Sequence, residues 1–249
     1  MKRRAAKWLT LLLLLAIGAL SALPASWLSL PLERATEGRW RLSKASGTVW
    51  DGATQLVFLG EGGEVLAMSA LAWHWQPKAL LQGKLAWLLD SDGQPGRLLL
   101  GWGRQEVAGV AFQLPAAALA NLSKTWQAAR LGGELNLQLA QLVRQDGQWN
   151  GGLQLSWRGA ASPLTSVLPF GSYQLDVAAN GNAVLLNVAT LEGPLMINGQ
   201  GQWQPGGALQ LAGMADSSPE KYDALKPLLL MLGQPSGPTS VSWQVKPGA

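Results

Sequence analysis

The chain has 249 residues, 48% of them hydrophobic and only 14% charged, with a net charge of +4, a single His and no Cys. Thiol catalysis, disulfide scaffolds, zinc fingers and His-pair metal sites are therefore excluded. The positive excess is Lys2, Arg3, Arg4 and Lys7, all ahead of the first apolar run; without them acids and bases balance, which excludes nucleic acid as the main partner.

From Trp8 to Leu32 no charged residue appears. A bilayer core of about 30 Å needs roughly 20 helical residues, so this run is long enough to span, with Pro24 ending or kinking the regular helix near the outer interface. Trp8 and Trp27 suit the two headgroup levels, and the basic cluster before Trp8 holds the N-terminus in the cytoplasm. The expected organisation is a cytoplasmic tail (1–7), a transmembrane anchor segment (8–32) and a periplasmic β-rich domain (33–249). A basic stretch followed by an apolar run is also the pattern of a cleaved signal peptide, with Ala19-Leu20-Ser21 as the small-residue site. The apolar character continues through Leu23, Trp27, Leu28, Leu30 and Leu32, an odd start for a soluble mature chain, and this favours an uncleaved, single-pass anchor in the inner membrane.

Beyond the anchor, apolar and polar residues alternate with the period of half-buried strands. The pattern predicts strands over Gly47–Leu59, Glu64–Trp75, Leu80–Leu89, Arg97–Trp102 and Val107–Leu114. Further strands are centred on Leu135–Leu139, Leu153–Arg158 and Tyr173–Val177, then over Ala183–Val188, Leu195–Trp203, Ala208–Met214 and Val241–Val245. The turns between them, including Asp92-Gly93, Asp146-Gly147, Asn180-Gly181 and Gly206-Gly207, suit antiparallel hairpins. Two helices are expected: one opened by Pro115 with Leu119, Leu122 and Trp126 on a face, the other capped by Ser218, with Tyr222, Leu225, Leu229 and Leu232 on a face and Pro227 kinking or dividing it. Residues 147–155 echo residues 201–211, which reads as a repeated hairpin. The fold class is mainly β: a curled antiparallel sheet with one or two short helices.

Little in the chain points to chemistry. His74, between Trp73 and Trp75, projects from a strand opposite to both and reads as a partly exposed sheet residue; a catalytic role would need an orienting carboxylate. Ser218-x-x-Lys221 has the bare spacing of some acylases, but it is explained as a helix start. Asp90-Ser91-Asp92-Gly93 resembles the opening of a calcium loop, yet the twelfth position is Gly101 where a bidentate Glu is needed, so a hairpin turn is the better account. No catalytic, cofactor-binding or metal-binding residue is assigned, and no enzyme activity is expected. The 13 Trp fall mostly on apolar strand phases and are first of all core. The sharper reading makes Trp73, Trp75 and Trp50 an interaction face.

Taken together the chain resembles the type II secretion system protein N family. The resemblance is carried by the anchor followed by Leu23-Pro24-Ala25, by Gly47-Thr48-Val49-Trp50-Asp51-Gly52, by Leu71-Ala72-Trp73-His74-Trp75, and by Leu228-Leu229-Leu230-Met231-Leu232-Gly233 with Val241-Ser242-Trp243. It implies an accessory inner-membrane component of the machinery that moves folded proteins from periplasm across the outer membrane in Gram-negative bacteria. Its partners would be other subunits of that machinery, with membrane lipid touched through the N-terminal helix. The Gly-x-Val-Trp-x-Gly element also has a physical reading as a bulge or tight hairpin. An alternative resemblance is to AsmA-like proteins, which implies a membrane-tethered lipid-binding β-groove. The two separate on whether Trp73 and Trp75 are packed or line an open trough.

Overall fold

Short turns favour pairing between consecutive strands, and the computed structural model pairs nearly every strand with its sequence neighbours. It describes residues 15, 18–60, 63, 65–117, 128–204 and 207–245. The strands are β1 (Trp40–Gly47), β2 (Asp51–Leu59), β3 (Val65–Trp75), β4 (Lys84–Ser91), β5 (Gln94–Gly101), β6 (Arg104–Pro115) and β7 (Gly132–Gln145). They continue with β8 (Gln148–Ala161), β9 (Gly171–Gly181), β10 (Ala183–Glu192), β11 (Leu195–Trp203), β12 (Gln210–Ser217), β13 (Gln234–Pro235) and β14 (Ser240–Val245). All belong to one antiparallel meander in the order β1 to β12, then β14 and β13. The sheet is open, with β1 at one edge and the two-residue β13 at the other.

Ser91 Oγ on β4 donates to Ala111 O on β6, across the end of the intervening β5. Register shifts in β7 between Leu139 and Gln141, and in its pairing with β8 near Gly132, supply the bends that a long sheet needs to leave a plane. Asp92-Gly93 and Asp146-Gly147 form two-residue turns with positive φ at both positions, as the sequence expects of hairpins that follow the strand twist.

The core lies at one end of the strands. Helix α2 (Tyr222–Leu232) buries Leu225, Leu228 and Leu229 against Leu195, Ala215 and Val241, with Phe170 and Tyr173 beside them. Tyr173 Oη donates to Leu195 O at 2.8 Å, and burial pushes its phenol well above the usual tyrosine range. A second cluster, Ala116, Ala129, Leu131 and Leu135, meets the first through Met231.

Several expectations are corrected. Gly47–Leu59 is not one strand: β1 ends at Gly47 and the chain reverses before β2. Leu80 and Leu81 are not in a strand but in a 3-10 turn over Pro77–Gln82. Pro115 is the last residue of β6, residues 116 and 117 after it form a 3-10 turn and residues 128 and 129 are helical, while the positions 119, 122 and 126 lie outside the described residues. Ser218 offers no side-chain cap; its carbonyl instead accepts from Lys221 N at 3.0 Å, and α2 runs through Pro227 undivided. The internal echo is no repeated hairpin, since Gln148-Trp149 opens β8 whereas Gln202-Trp203 closes β11.

The first part of the expected anchor, residues 8–17 apart from Leu15, lies outside the described residues. Among the described residues no helix is long and apolar enough to cross a membrane. After helical residues 18–21 the chain turns at Pro24, which bridges to Thr48, passes through a 3-10 turn (Ala25–Leu28) and enters α1 (Ser29–Ala35), packed beside β1.

One buried charge stands apart from the apolar core. Glu106 on β6 is 4% exposed and accepts from Arg104 Nη2 at 2.9 Å, from Arg97 and from Gln141 Nε2 at 2.9 Å. The Arg104 guanidinium, with Arg97 and Gln141 beside it, holds the carboxyl below its ordinary value against the opposing effect of burial. A lowered folded value adds stability above the ordinary carboxylate range, lost as pH falls through the folded value. Glu106→Gln is therefore expected to lower stability at neutral pH and to flatten the acid limb of the stability profile, as read by urea unfolding between neutral and strongly acidic pH.

Candidate interaction face

The Gly-x-Val-Trp-x-Gly element is the β1–β2 hairpin. Gly47 pairs with Gly52, and the loop between them is held from within: Thr48 N donates to Asp51 O at 2.8 Å, while Thr48 Oγ1 accepts from Trp50 N at 3.2 Å and Asp51 N at 3.1 Å. Both glycines are required by space. Gly47 has φ +80°, and a Cβ there would strike Asp51 O; a Cβ on Gly52 would lie 2.6 Å from Ser46 O and 2.8 Å from the Trp73 ring.

The loop gathers the tryptophans singled out by the sequence. Gly52 is paired with Trp73 on β3, and Trp75 N donates to Trp50 O at 2.8 Å. Trp73 is buried beneath the loop and its Nε1 donates to Thr48 O at 3.0 Å. Trp50 and Trp75 are half-buried, with ring centroids 5.0 Å apart. Trp87 on β4 is directly opposite Trp75 and stacks on Trp50 at 6.1 Å. Alternation along the sequence could not show that Trp87 belongs to the group, because the cross-strand register decides it.

The same loop receives the N-terminal segment. Trp50 Nε1 donates to Leu20 O at 2.8 Å, and Val49 N donates to Leu23 O at 3.0 Å. The apolar run is thus stitched to the sheet through backbone carbonyls freed where its helix stops before Pro24.

Trp75 and Trp73 differ in one respect: Trp75 Nε1 is buried with no partner, whereas that of Trp73 is bonded. Replacing each by Phe removes similar ring area, but at Trp73 it also leaves Thr48 O unpaired. Trp73→Phe is expected to cost about 1–3 kcal/mol more than Trp75→Phe in equilibrium unfolding.

His74 has a carboxylate neighbour after all. Asp51 is its cross-strand partner, with Asp51 Oδ2 2.5 Å from His74 Nδ1, and both side chains are exposed on the strand face away from Trp73. A pair this exposed contributes little to stability. The Asp90–Gly93 carboxylates cap backbone: Asp90 Oδ1 accepts from Gly93 N at 2.8 Å and Asp92 Oδ1 from Ala70 N at 2.7 Å. A cavity of about 760 Å³ lies nearby, with a mixed lining that includes Ser69, Asp92, Gln113 and Gln138 together with Val110 and Leu139.

A long open antiparallel sheet, knotted at one hairpin to an apolar N-terminal run and sealed at the other end by a short helix, defines a β-rich module. The profile of the type II secretion system (T2SS) protein N family matches residues 38–244, nearly the whole sheet. The chain belongs to this family and is a component of the type II secretion system, which implies interaction with its other components. No curated protein and no solved structure matches the chain.

Proposed function

We propose that the protein is an accessory, non-enzymatic component of the type II secretion machinery at the inner membrane. Its apolar N-terminal run crosses the bilayer with the basic tail in the cytoplasm, and the sheet stands in the periplasm. There it contributes assembly or scaffolding contacts to other subunits, through the face around Trp50 and Trp75, with Trp73 as its support. The observation that carries this reading is the seam joining Leu20 and Leu23 to Trp50 and Val49, which couples a membrane-directed segment to the sheet without a flexible linker. The lipid-groove alternative gains no support at the tryptophans, where Trp50 bonds to the N-terminal segment and packs on Trp75 and Trp87.

Removing the gene in frame from its host is expected to reduce export of type II substrates and to leave folded substrate in the periplasm, with restoration by the full chain. Unchanged export in the deletion strain would defeat the reading.

A further inference from the structure

We infer that the hairpin tips at the Trp50 end of the sheet form a second membrane contact, seated on the lipid headgroups beside the anchor. The inference rests on the reading that the N-terminal run spans the bilayer. The β1–β2 loop, the connection from β3 to β4 (residues 76–83) and the β5–β6 turn (residues 102 and 103) lie at the same end of their strands, because Asp51 pairs with His74 and Lys84 with Gly101. This is the end at which Leu20 and Leu23 are bonded to Trp50 and Val49. A run that leaves the bilayer at these residues brings the tips to the headgroup level.

The side chains at the tips fit that place and no role inside the fold. Leu81 is 90% exposed, Leu80 50% and Trp102 100%. Three large apolar groups held out on turns, where polar residues are the rule, mark a surface that meets something apolar. Trp is favoured at the membrane–water interface because its ring is apolar and its N–H is not. Lys78 and Lys84 flank the leucines, and neither has an acidic partner among the described residues. Their long stems can lie along the apolar groups while the ammonium groups reach anionic phosphates. Apolar tips with two lysines beside the leucines suit an anionic lipid surface better than the neutral face of another protein.

The absence of native Cys allows a direct depth measurement on the full chain. Single Cys is introduced as Leu81→Cys, Trp102→Cys, Leu15→Cys or, at the opposite end of the sheet, Gln94→Cys. Each is labelled with an environment-sensitive fluorophore and reconstituted in vesicles of phosphatidylethanolamine and phosphatidylglycerol carrying headgroup-level nitroxide lipids. Labels at 81 and 102 are expected to be quenched at least about twofold more strongly than the label at 94, with the excess reduced by Lys78→Glu and Lys84→Glu. Quenching at 15 but no excess at 81 or 102 would overturn the proposal while leaving the anchor intact. No lipid quenching at 15 would remove the anchored reading itself, and the proposal with it.

Discussion

Gly213→Val is expected to unfold the C-terminal part of the sheet. Gly213 on β12 pairs with Gly199 on β11 and with Trp243 on β14, and the Trp243 ring lies across both glycines. A Cβ at position 213 would meet Asn198 O, would stand 2.6 Å from Gly199 Cα and would be 2.7 Å from Trp243 Cζ2. Two of these three obstacles are backbone of a paired strand, so no rotamer change relieves them. Overpacking of this kind costs about 3 kcal/mol or more, a large share of the about 5–15 kcal/mol that holds a typical domain together. Thermal unfolding of the detergent-solubilised chain should show the loss, and Gly213→Ala should show a smaller one of the same sign. A Gly213→Val chain as stable as the parent would mean that Trp243 does not lie over this strand pair.

The second large effect is expected at Leu229→Ala. Leu229 and Leu225 are fully buried where α2 meets Leu195, Ala215 and Val241. Truncation removes Cγ and both Cδ carbons and leaves a void that the surrounding apolar groups fill only in part, which costs about 2–5 kcal/mol. Leu230, one residue on, is half exposed, and Leu230→Ala should change stability by no more than about 0.5 kcal/mol. The contrast between adjacent leucines in urea unfolding tests whether α2 closes this end of the sheet with the face described. Equal effects at both positions would place the helix in another rotation.

The strands between residues 65 and 245, apart from the two-residue β13, were legible because the period of two survives wherever one face is buried and the other wet. The edge strand β1 was not legible: Arg41, Lys44 and Ser46 interrupt the apolar positions, and the register shift between Ser43 and Ser46 breaks the alternation that remains. Leu80 and Leu81 misled in the opposite direction. They continue an apolar pattern, but Pro77 and Gly83, with φ +68°, set a turn that holds them out to solvent. The long strands β7 and β8 show a third limit, since their bulges shift the alternating pattern and make the regular stretches look shorter than the strands.

At the candidate face the residue types were legible and the partners were not. The two glycines around Thr48–Asp51 read as a bulge or a tight hairpin, and the structure makes them a hairpin; Trp73 was singled out with Trp75 and Trp50 for an interaction face, and it lies buried beneath the loop. That Asp51 faces His74, that Trp87 joins Trp50 and Trp75, and that the Trp50 indole reaches Leu20 are facts of register and of chain return, which no local spacing encodes. The order of the strands was not legible either: the connections over residues 116–131 and 218–239 are too long to dictate pairing, and β14 lies between β12 and β13; α2 is the one described helix that seals apolar residues of the C-terminal strands.

The scaffold account is tested most directly by photocross-linking in intact host cells, with a photoreactive residue placed at Trp75 and, for comparison, at the exposed Gln138 on β7. The account predicts adducts between the Trp75 position and other type II secretion subunits, identified by mass spectrometry and lost when those subunits are absent. Cross-links confined to lipid, with no protein adduct at either position, would contradict it.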